Sequence, residues 1–187
     1  MDNSPLVADG VSVGKRALRQ ILRKRREAVP DREGRSGAIA RALLSWEPCK
    51  QATRLLIYVG VGTEVDTTLL RSEKPCAMPV VVGDELRFRL PPLVPGFRGI
   101  PEPTGEDIVP CAGDLLVVPL LGFDSEMNRL GQGKAYYDKY ISQLRTEHPE
   151  VLIVGLAFLL QQVDRLFTEP HDQRMDAVAT EAGIWEY

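Results

Sequence analysis

Cysteine is scarce in this chain: Cys49, Cys76 and Cys111 stand far apart, with no C-x-x-C pair and no histidine-rich stretch beside them. That excludes a disulfide framework and gives no sign of a zinc site, so a reducing compartment fits best. A long hydrophobic run is missing too. The longest candidate, Val151 to Leu160, is about half of the roughly 20 residues that cross a bilayer. Met1 to Gly14 has neither the apolar core of a secretory signal nor an arginine, which leaves a cytoplasmic address ahead of a mitochondrial matrix one, and no membrane partner. Neither sign of charge dominates, the formal net charge being −3, so nothing global points to nucleic acid. No repeat or low-complexity tract interrupts the chain. With 44% hydrophobic and 26% charged residues over 187 positions, it has the composition of one ordinary globular domain.

Positive charge is unevenly placed. Residues 15–26, KRALRQILRKRR, hold seven of the 23 Lys and Arg residues in a helical pattern whose apolar face carries Leu18, Ile21, Leu22 and Val29. At about 100° per residue, Lys15, Arg19, Arg23 and Arg26 share one stripe beside that face, whereas Arg16 and Lys24 point away. Such a stripe suits the rim of a pocket and equally a solvated face; an RNA-binding surface is a third reading, which the net negative charge opposes. Pro30-Asp31 interrupts the pattern, and Ala38, Ile39, Ala42 and Leu43 predict a second helix ending before Glu47-Pro48.

Leu55 to Val59, Met78 to Val82, Asp114 to Pro119 and Val151 to Phe158 read as buried strands, Glu85 to Leu90 as an alternating one and Met175 to Thr180 as a short one. Pro91 to Gly105 is a Pro/Gly-rich connection, and a helix is predicted near Lys134 to Thr146. Strands alternating with helices predict an α/β fold with parallel strands.

The most informative stretch is Asp114 to Asp138, where a buried strand gives way to a glycine-bearing loop and then a helix. Ligands bind beyond the carboxyl ends of strands in such sheets. Gly131-Gln132-Gly133-Lys134 is neither a Walker A loop nor a GxGxxG fingerprint. Its glycines still let backbone N–H groups approach an anion, with Lys134 and Arg129 adding charge; a turn with solvated cations accounts for the same spacing. Asp138 falls in the first turn of the predicted helix, where the helix dipole alone favours a carboxylate. It is also the residue type that binds magnesium, with Asp172 as a second carboxylate, although an Asp in a polar loop commonly forms a turn. Glu64 follows the first strand and reads as a helix cap or first-turn acid. Tyr136 and Tyr137 suit stacking on a flat heterocycle, or a division between core and surface. His171 reads as structural and His148 as a loop residue.

In order along nearly the whole chain come Lys15-Arg16-Ala17-Leu18-Arg19, Thr63-Glu64-Val65-Asp66-Thr67, Gly99-Ile100-Pro101-Glu102-Pro103, and Pro119 through Gly122-Phe123-Asp124 to Arg129-Leu130-Gly131-Gln132-Gly133-Lys134-Ala135-Tyr136-Tyr137-Asp138. Gly155-Leu156-Ala157-Phe158, Gln162, His171-Asp172, Met175-Asp176 and Thr180-Glu181 close the series. Together these segments resemble the 5-formyltetrahydrofolate cyclo-ligase family, also called methenyltetrahydrofolate synthetases. The resemblance implies a three-layer α/β/α sandwich with a mainly parallel sheet. It implies one domain over residues 15–187, with residues 1–14 as a frayed extension. It also implies a monomeric enzyme, dependent on ATP and Mg²⁺, that converts 5-formyltetrahydrofolate to 5,10-methenyltetrahydrofolate with release of ADP and phosphate. Its partners would be a reduced folate and ATP, with no nucleic acid.

Residue by residue, the resemblance sets Lys15 and Arg19 against nucleotide phosphates. Arg129, Gly131, Gln132, Gly133, Lys134, Ala135 and Tyr137 match the nucleotide loop, Arg129 and Lys134 carrying the catalytic charge. Val59, Glu64 and Tyr136 match folate contacts: an apolar wall, an acid near the pterin and an aromatic ring. Asp138 and Asp172 match the magnesium carboxylates. Two features depart from the family pattern: Ala135 stands where a third glycine is usual, and Leu166-Phe167-Thr168-Glu169 replaces a proline-containing approach to His171-Asp172. Ala135 is expected in ordinary helical dihedrals, leaving close approach to Gly131 and Gly133, so that Ala135→Gly would leave activity unchanged and slightly lower stability. A non-catalytic protein binding a folate, a thiamine-like molecule or a nucleotide on the same fold is the alternative; the full set of Lys134, Tyr136, Asp138 and Asp172 opposes it.

Overall fold

A computed structural model describes residues 14–96 and 99–187; the expected N-terminal extension lies, but for Gly14, outside them. Three helices, α1 (Lys15–Glu27), α2 (Arg32–Ser45) and α3 (Glu47–Gln51), precede β1 (Arg54–Ile57). Helix α4 (Thr68–Glu73) leads into β2 (Cys76–Val82) and β3 (Glu85–Arg89), and β4 (Leu93–Pro95) pairs with β5 (Pro101–Pro103). Then come β6 (Asp114–Pro119), the small pair β7 (Gly122–Phe123) and β8 (Arg129–Leu130), α5 (Tyr136–Glu147), β9 (Leu152–Leu156), β10 (Ala177–Thr180) and β11 (Gly183–Glu186).

Seven strands form one sheet in the order β11-β10-β9-β6-β1-β2-β3. The five inner strands are parallel, and the edge strands β3 and β11 run antiparallel. Period-two alternation splits the apolar runs between two layers. Leu55, Ile57, Leu115, Val117, Val154 and Leu156 pack on one face with Ile39, Ala40 and Leu43 of α2, Cys49 of α3 and Leu70 of α4. Leu56, Leu116, Val118, Ile153 and Val178 pack on the other with Ile141 and Leu144 of α5. This is the three-layer α/β arrangement the resemblance implies.

Helix α1 belongs to neither layer. Its Leu18 and Leu22 join Leu121, Leu130, Val163 and Leu166 in a third apolar cluster, where Leu22 lies so close to Gly122 that a β-carbon there would come within 2.6 Å of its side chain. The apolar face thus seats the helix on the segments that follow β6 and β9. Its last turn carries Lys24, Arg25 and Arg26, which complements the negative end of the helix dipole.

Three expectations are corrected. The predicted helix at Lys134 begins at Tyr136, because Ala135 takes up a left-handed conformation with φ 55° and ψ 10°. Ala135 therefore lacks the helical dihedrals assigned to it. Val59 lies two residues past the end of β1, which stops at Ile57. Glu64 does not cap the following helix: α4 starts after Thr67, and Asp66 accepts hydrogen bonds from the Thr68 amide and hydroxyl at 2.9 and 2.7 Å.

Candidate active site

From β1 the chain goes on to β2 on one side, whereas β6, on the other side of β1, continues to β9. Between β1 and β6 the strand order therefore reverses, and a crevice opens beyond their carboxyl ends. A cavity of about 500 Å³ lies at the end of β6, lined by Pro119, the glycine loop and the start of α5. Pro79, Val81 and Leu86 of the β2–β3 hairpin add apolar lining, and Glu169, His171 and Asp172 close another side. A second cavity between β3 and α5 shares Leu86 and Tyr136 with it.

Every member of the basic stripe on α1 is engaged. Lys15 Nζ donates to Glu169 Oε2 at 2.5 Å and to Asp172 Oδ2 at 2.6 Å. Arg19 Nε donates to the Gly131 carbonyl at 2.9 Å, and Arg23 donates to Gln132 Oε1 at 2.9 Å. Arg26, buried to 7% exposure, donates to Thr63 Oγ1 at 3.0 Å and stands 3.9 Å from Glu64. One turn apart on the helix, these four cations tie α1 to three separate loops, so the stripe is not merely a solvated face.

The glycine loop is shaped by the same contacts. Gly133 has φ 98°, and a β-carbon there would sit 3.2 Å from the Arg19 guanidinium carbon. The following residue, Lys134, is exposed on the cavity rim and has no acidic partner among the described residues. Arg129 lies beneath, 8% exposed; its guanidinium donates to Asp138 Oδ1 at 2.7 Å while its Nε has no partner among the described residues. Burial pulls the Arg129 guanidinium below its usual range, against the charge of Asp138.

The two candidate magnesium ligands reach the same wall. Asp138 Oδ1 also meets the Gln173 amide at 3.4 Å, next in sequence to Asp172. Burial alone would raise Asp172, but hydrogen bonds from Lys15 and the Glu169 amide, with the Lys15 charge, hold its carboxyl below the usual range. Both of its bonds fall on Oδ2, and both bonds of Asp138 fall on Oδ1, so each acid keeps one oxygen out of those contacts. Glu169, His171 and Asp172 bring one ligand atom each within 4.8 Å of one another. Sequence reasoning missed Glu169 and set His171 aside as structural; the only available signal was their position beside Asp172.

The three residues matched to folate contacts are grouped more loosely: Tyr136 lines the cavity, as does Tyr137 of the nucleotide set, but Val59 and Glu64 do not. Gln132, which does line the cavity, lies near the Glu64 carboxylate and favours its charged form. Burial pushes the Glu64 carboxyl above its usual range, opposed by the Val61 amide at 3.2 Å, by Arg26 and by Gln132.

With this geometry in hand, similarity to known proteins is decisive. The chain matches the 5-formyltetrahydrofolate cyclo-ligase family over residues 11–181. It belongs to that family. A 5-formyltetrahydrofolate cyclo-ligase of Escherichia coli K12 is 28% identical over 183 residues, covering 89% of this chain and all of the relative, and the mouse protein of the same name is 27% identical with 94% and 98% covered. The solved 5,10-methenyltetrahydrofolate synthetase of Aquifex aeolicus superposes with a TM-score of 0.79 at 31% identity, covering 92% of each chain. That of Mycoplasma pneumoniae gives 0.71 at 26% identity, with 90% of this chain and 99% of the other covered. Family membership makes the chain a ligase of folate metabolism. No helix among the described residues is long and apolar enough to cross a membrane.

Proposed function

We propose that the protein closes 5-formyltetrahydrofolate to 5,10-methenyltetrahydrofolate at the expense of ATP, releasing ADP and phosphate. The observation that carries this reading is the convergence of Lys15, Arg19, Arg129 and Lys134 on one cavity that also holds Asp138 and Asp172. An N-formyl oxygen is a poor leaving group, and phosphorylating it makes ring closure possible. The formyl oxygen attacks the γ-phosphorus and ADP departs; N10 then attacks the formyl carbon of the resulting imidate phosphate, its proton passes to the phosphate, and inorganic phosphate leaves. Such a sequence asks the protein for alignment and charge neutralisation rather than for a nucleophile.

In this scheme the glycine loop presents amides and Lys134 to the phosphates, and Arg129, fixed by Asp138, faces the transferred group. Lys15 and Arg19 supply further charge from α1. The donor set suits the magnesium ion that accompanies ATP: Asp138 and Asp172 would hold it through the oxygens their protein bonds leave over, with Glu169 beside them, and it would neutralise phosphate charge. Glu64 accepts from a pterin N–H edge, Tyr136 packs against the ring and Val59 backs that side. The free thiols of Cys49, Cys76 and Cys111 support a reducing compartment such as the cytoplasm.

The test is ATP-dependent appearance of methenyltetrahydrofolate absorbance when the purified protein is given 5-formyltetrahydrofolate, ATP and Mg²⁺. Turnover is expected. Tight binding of the folate without turnover would establish the non-catalytic alternative.

A further inference from the structure

A second cavity, of about 520 Å³, lies between β3 and α5 and shares Leu86 and Tyr136 with the first. The first, at about 500 Å³, has room for one ligand of drug size, which takes about 300–1,000 Å³, yet the proposed reaction brings ATP and a folate together. The residues lining the two cavities decide which of them extends into the second. Lys15, Arg19, Arg129, Gly131, Gly133 and Lys134, all set against the nucleotide, line the first cavity alone, whereas Tyr136, set against the folate, lines both. The folate therefore passes Tyr136. Its formyl-bearing ring must stay beside the phosphates, so the part that passes is the p-aminobenzoyl-glutamate tail.

The second cavity is a trough along one face of α5. Tyr136, Lys139, Tyr140, Gln143 and Glu147 line it, and at about 100° per residue they share a single stripe. The 12 residues from Tyr136 to Glu147 carry it about 17 Å away from the first cavity. Half-buried Leu86, Ile108 and Tyr140 give it an apolar floor, which suits an aromatic ring. Its cations are already paired: Arg87 with Glu85 and Asp107 at 3.0 and 3.2 Å, and Lys139 with Asp84 at 3.6 Å. From outside the trough Arg89 also binds Asp107, at 2.5 Å. Glu147, at the far end, accepts a hydrogen bond from Gln143 at 2.9 Å and has no cationic partner among the described residues. The two cavities thus differ in sign, a lysine without an acid on the rim of one and an acid without a cation at the end of the other.

We propose that the trough along α5 receives the folate tail and favours the monoglutamate over forms lengthened by γ-linked glutamates. The aminobenzoyl ring lies on the apolar floor beyond Tyr136, and the first glutamate ends among the paired charges around Lys139. Each added glutamate brings one more carboxylate, finds no unpaired cation among the described residues of the trough, and runs toward Glu147. Discrimination comes from what the longer ligand meets rather than from a better fit to the shorter one. The assignment rests on the function proposed above and deepens it, since it names the form of the substrate.

The experiment measures KM for monoglutamyl and pentaglutamyl 5-formyltetrahydrofolate, and for ATP, in the parent, in Glu147→Lys and in Gln143→Trp. In the parent the pentaglutamate KM is expected at or above that of the monoglutamate. Glu147→Lys turns a repulsion into an attraction and should lower the pentaglutamate KM about five-fold, leaving the monoglutamate KM within two-fold. Gln143 is exposed on α5, and a tryptophan there would lean back over the turn that carries Lys139 and Tyr140. Gln143→Trp should therefore raise KM for both folates about ten-fold, with the ATP KM within two-fold of the parent. A pentaglutamate KM several-fold below the monoglutamate's in the parent overturns the proposal, as does one that Glu147→Lys leaves unchanged. So does a Gln143→Trp enzyme in which the ATP KM rises in place of the folate KM, which would put adenosine in the trough, or in which neither moves. Should Gln143→Trp fail to fold, the Glu147→Lys comparison decides alone. A parent that turns over neither folate refutes the proposed function and this assignment together, whereas a parent that turns over both, matched by variants that do not differ from it, refutes the assignment alone.

Discussion

A buried arginine–aspartate pair stands at each end of the β1–β6 ladder, and the two pairs are built differently. At the amino ends Arg54 and Asp114 are register partners on adjacent strands. Arg54 grips both oxygens of the carboxylate at 2.9 and 2.7 Å, and the Cys111 amide adds a third bond at 2.9 Å. Its hydrogen bond to Asp114 holds Arg54 above the usual guanidinium range, against the effect of burial. Beyond the carboxyl ends Arg129 meets Asp138 through one oxygen at 2.7 Å, leaves Nε without a partner among the described residues, and is held below its usual range by burial. The first pair is closed and joins two strands; the second has bonding capacity left over, at the place where a parallel sheet binds its ligand. The contrast separates charge used to hold the fold from charge held ready for a substrate.

Breaking the open pair is expected to have the largest effect. Arg129→Leu should lower kcat about 1000-fold, and Lys134→Ala about 100-fold, as removal of preorganised charge at a transferring phosphoryl group does. Thermal unfolding should show Arg129→Leu within about 1 kcal/mol of the parent, because an apolar side chain replaces a half-satisfied buried cation. Turnover near the parent's would erase the distinction between the two pairs.

Breaking the closed pair should do the reverse. Asp114→Ala leaves the inner end of Arg54 without its bidentate partner and strips the Cys111 amide of its acceptor, which should destabilise the protein by about 3 kcal/mol. Denaturant unfolding gives the stability, and kcat measured on the protein still folded should stay within two-fold of the parent.

Ala135 sharpens the comparison from the side of the backbone. Its φ of 55° costs an alanine about 1–2 kcal/mol, partly offset because glycine loses more chain entropy on folding. Ala135→Gly should therefore stabilise the protein by roughly 0.5–1 kcal/mol, the opposite of what helical dihedrals would give. The melting temperature reads this directly, and a fall would show that the loop relaxes around alanine without strain.

The smallest effect is a matter of pH. Asp172 titrates below its ordinary 3.8 and Lys15 above its ordinary 10.5. A lowered acid contributes stability above its unfolded value that is lost as the pH falls through the folded one, and a raised amine loses its share as the pH climbs through its own. The tie between α1 and the loop at residues 169–172 should therefore hold from 3.8 to 10.5 and weaken outside that window. Titrating the Asp172 carboxyl by NMR should give a midpoint below 3.8 in the parent and a higher one in Lys15→Ala; equal midpoints would show that Lys15 does not hold it.

Much of the site was visible in the order of residues along the chain. Glycine spacing followed by Lys134, the stripe through Lys15, Arg19, Arg23 and Arg26, and the acid at Asp138 each carry a local signature, since helical periodicity and turn chemistry operate over a few residues. Contacts made across the fold left no such trace. Glu169 meets Lys15 across most of the chain's length, and Arg23 and Arg26 of α1 reach Gln132 and Thr63 in two loops far apart in sequence.

The sequence by itself determined the α/β alternation, the buried parallel strands and the positive face of α1, because apolar runs and a 3.6-residue period are properties of neighbouring residues. Tertiary structure alone decided that β1 and β6 would be neighbours, that Arg54 would be satisfied and Arg129 left half-paired, and that Ala135 would turn left-handed before α5. Those outcomes depend on which loops meet at the ends of the strands and on the burial they impose, and burial is a property of the packed chain as a whole.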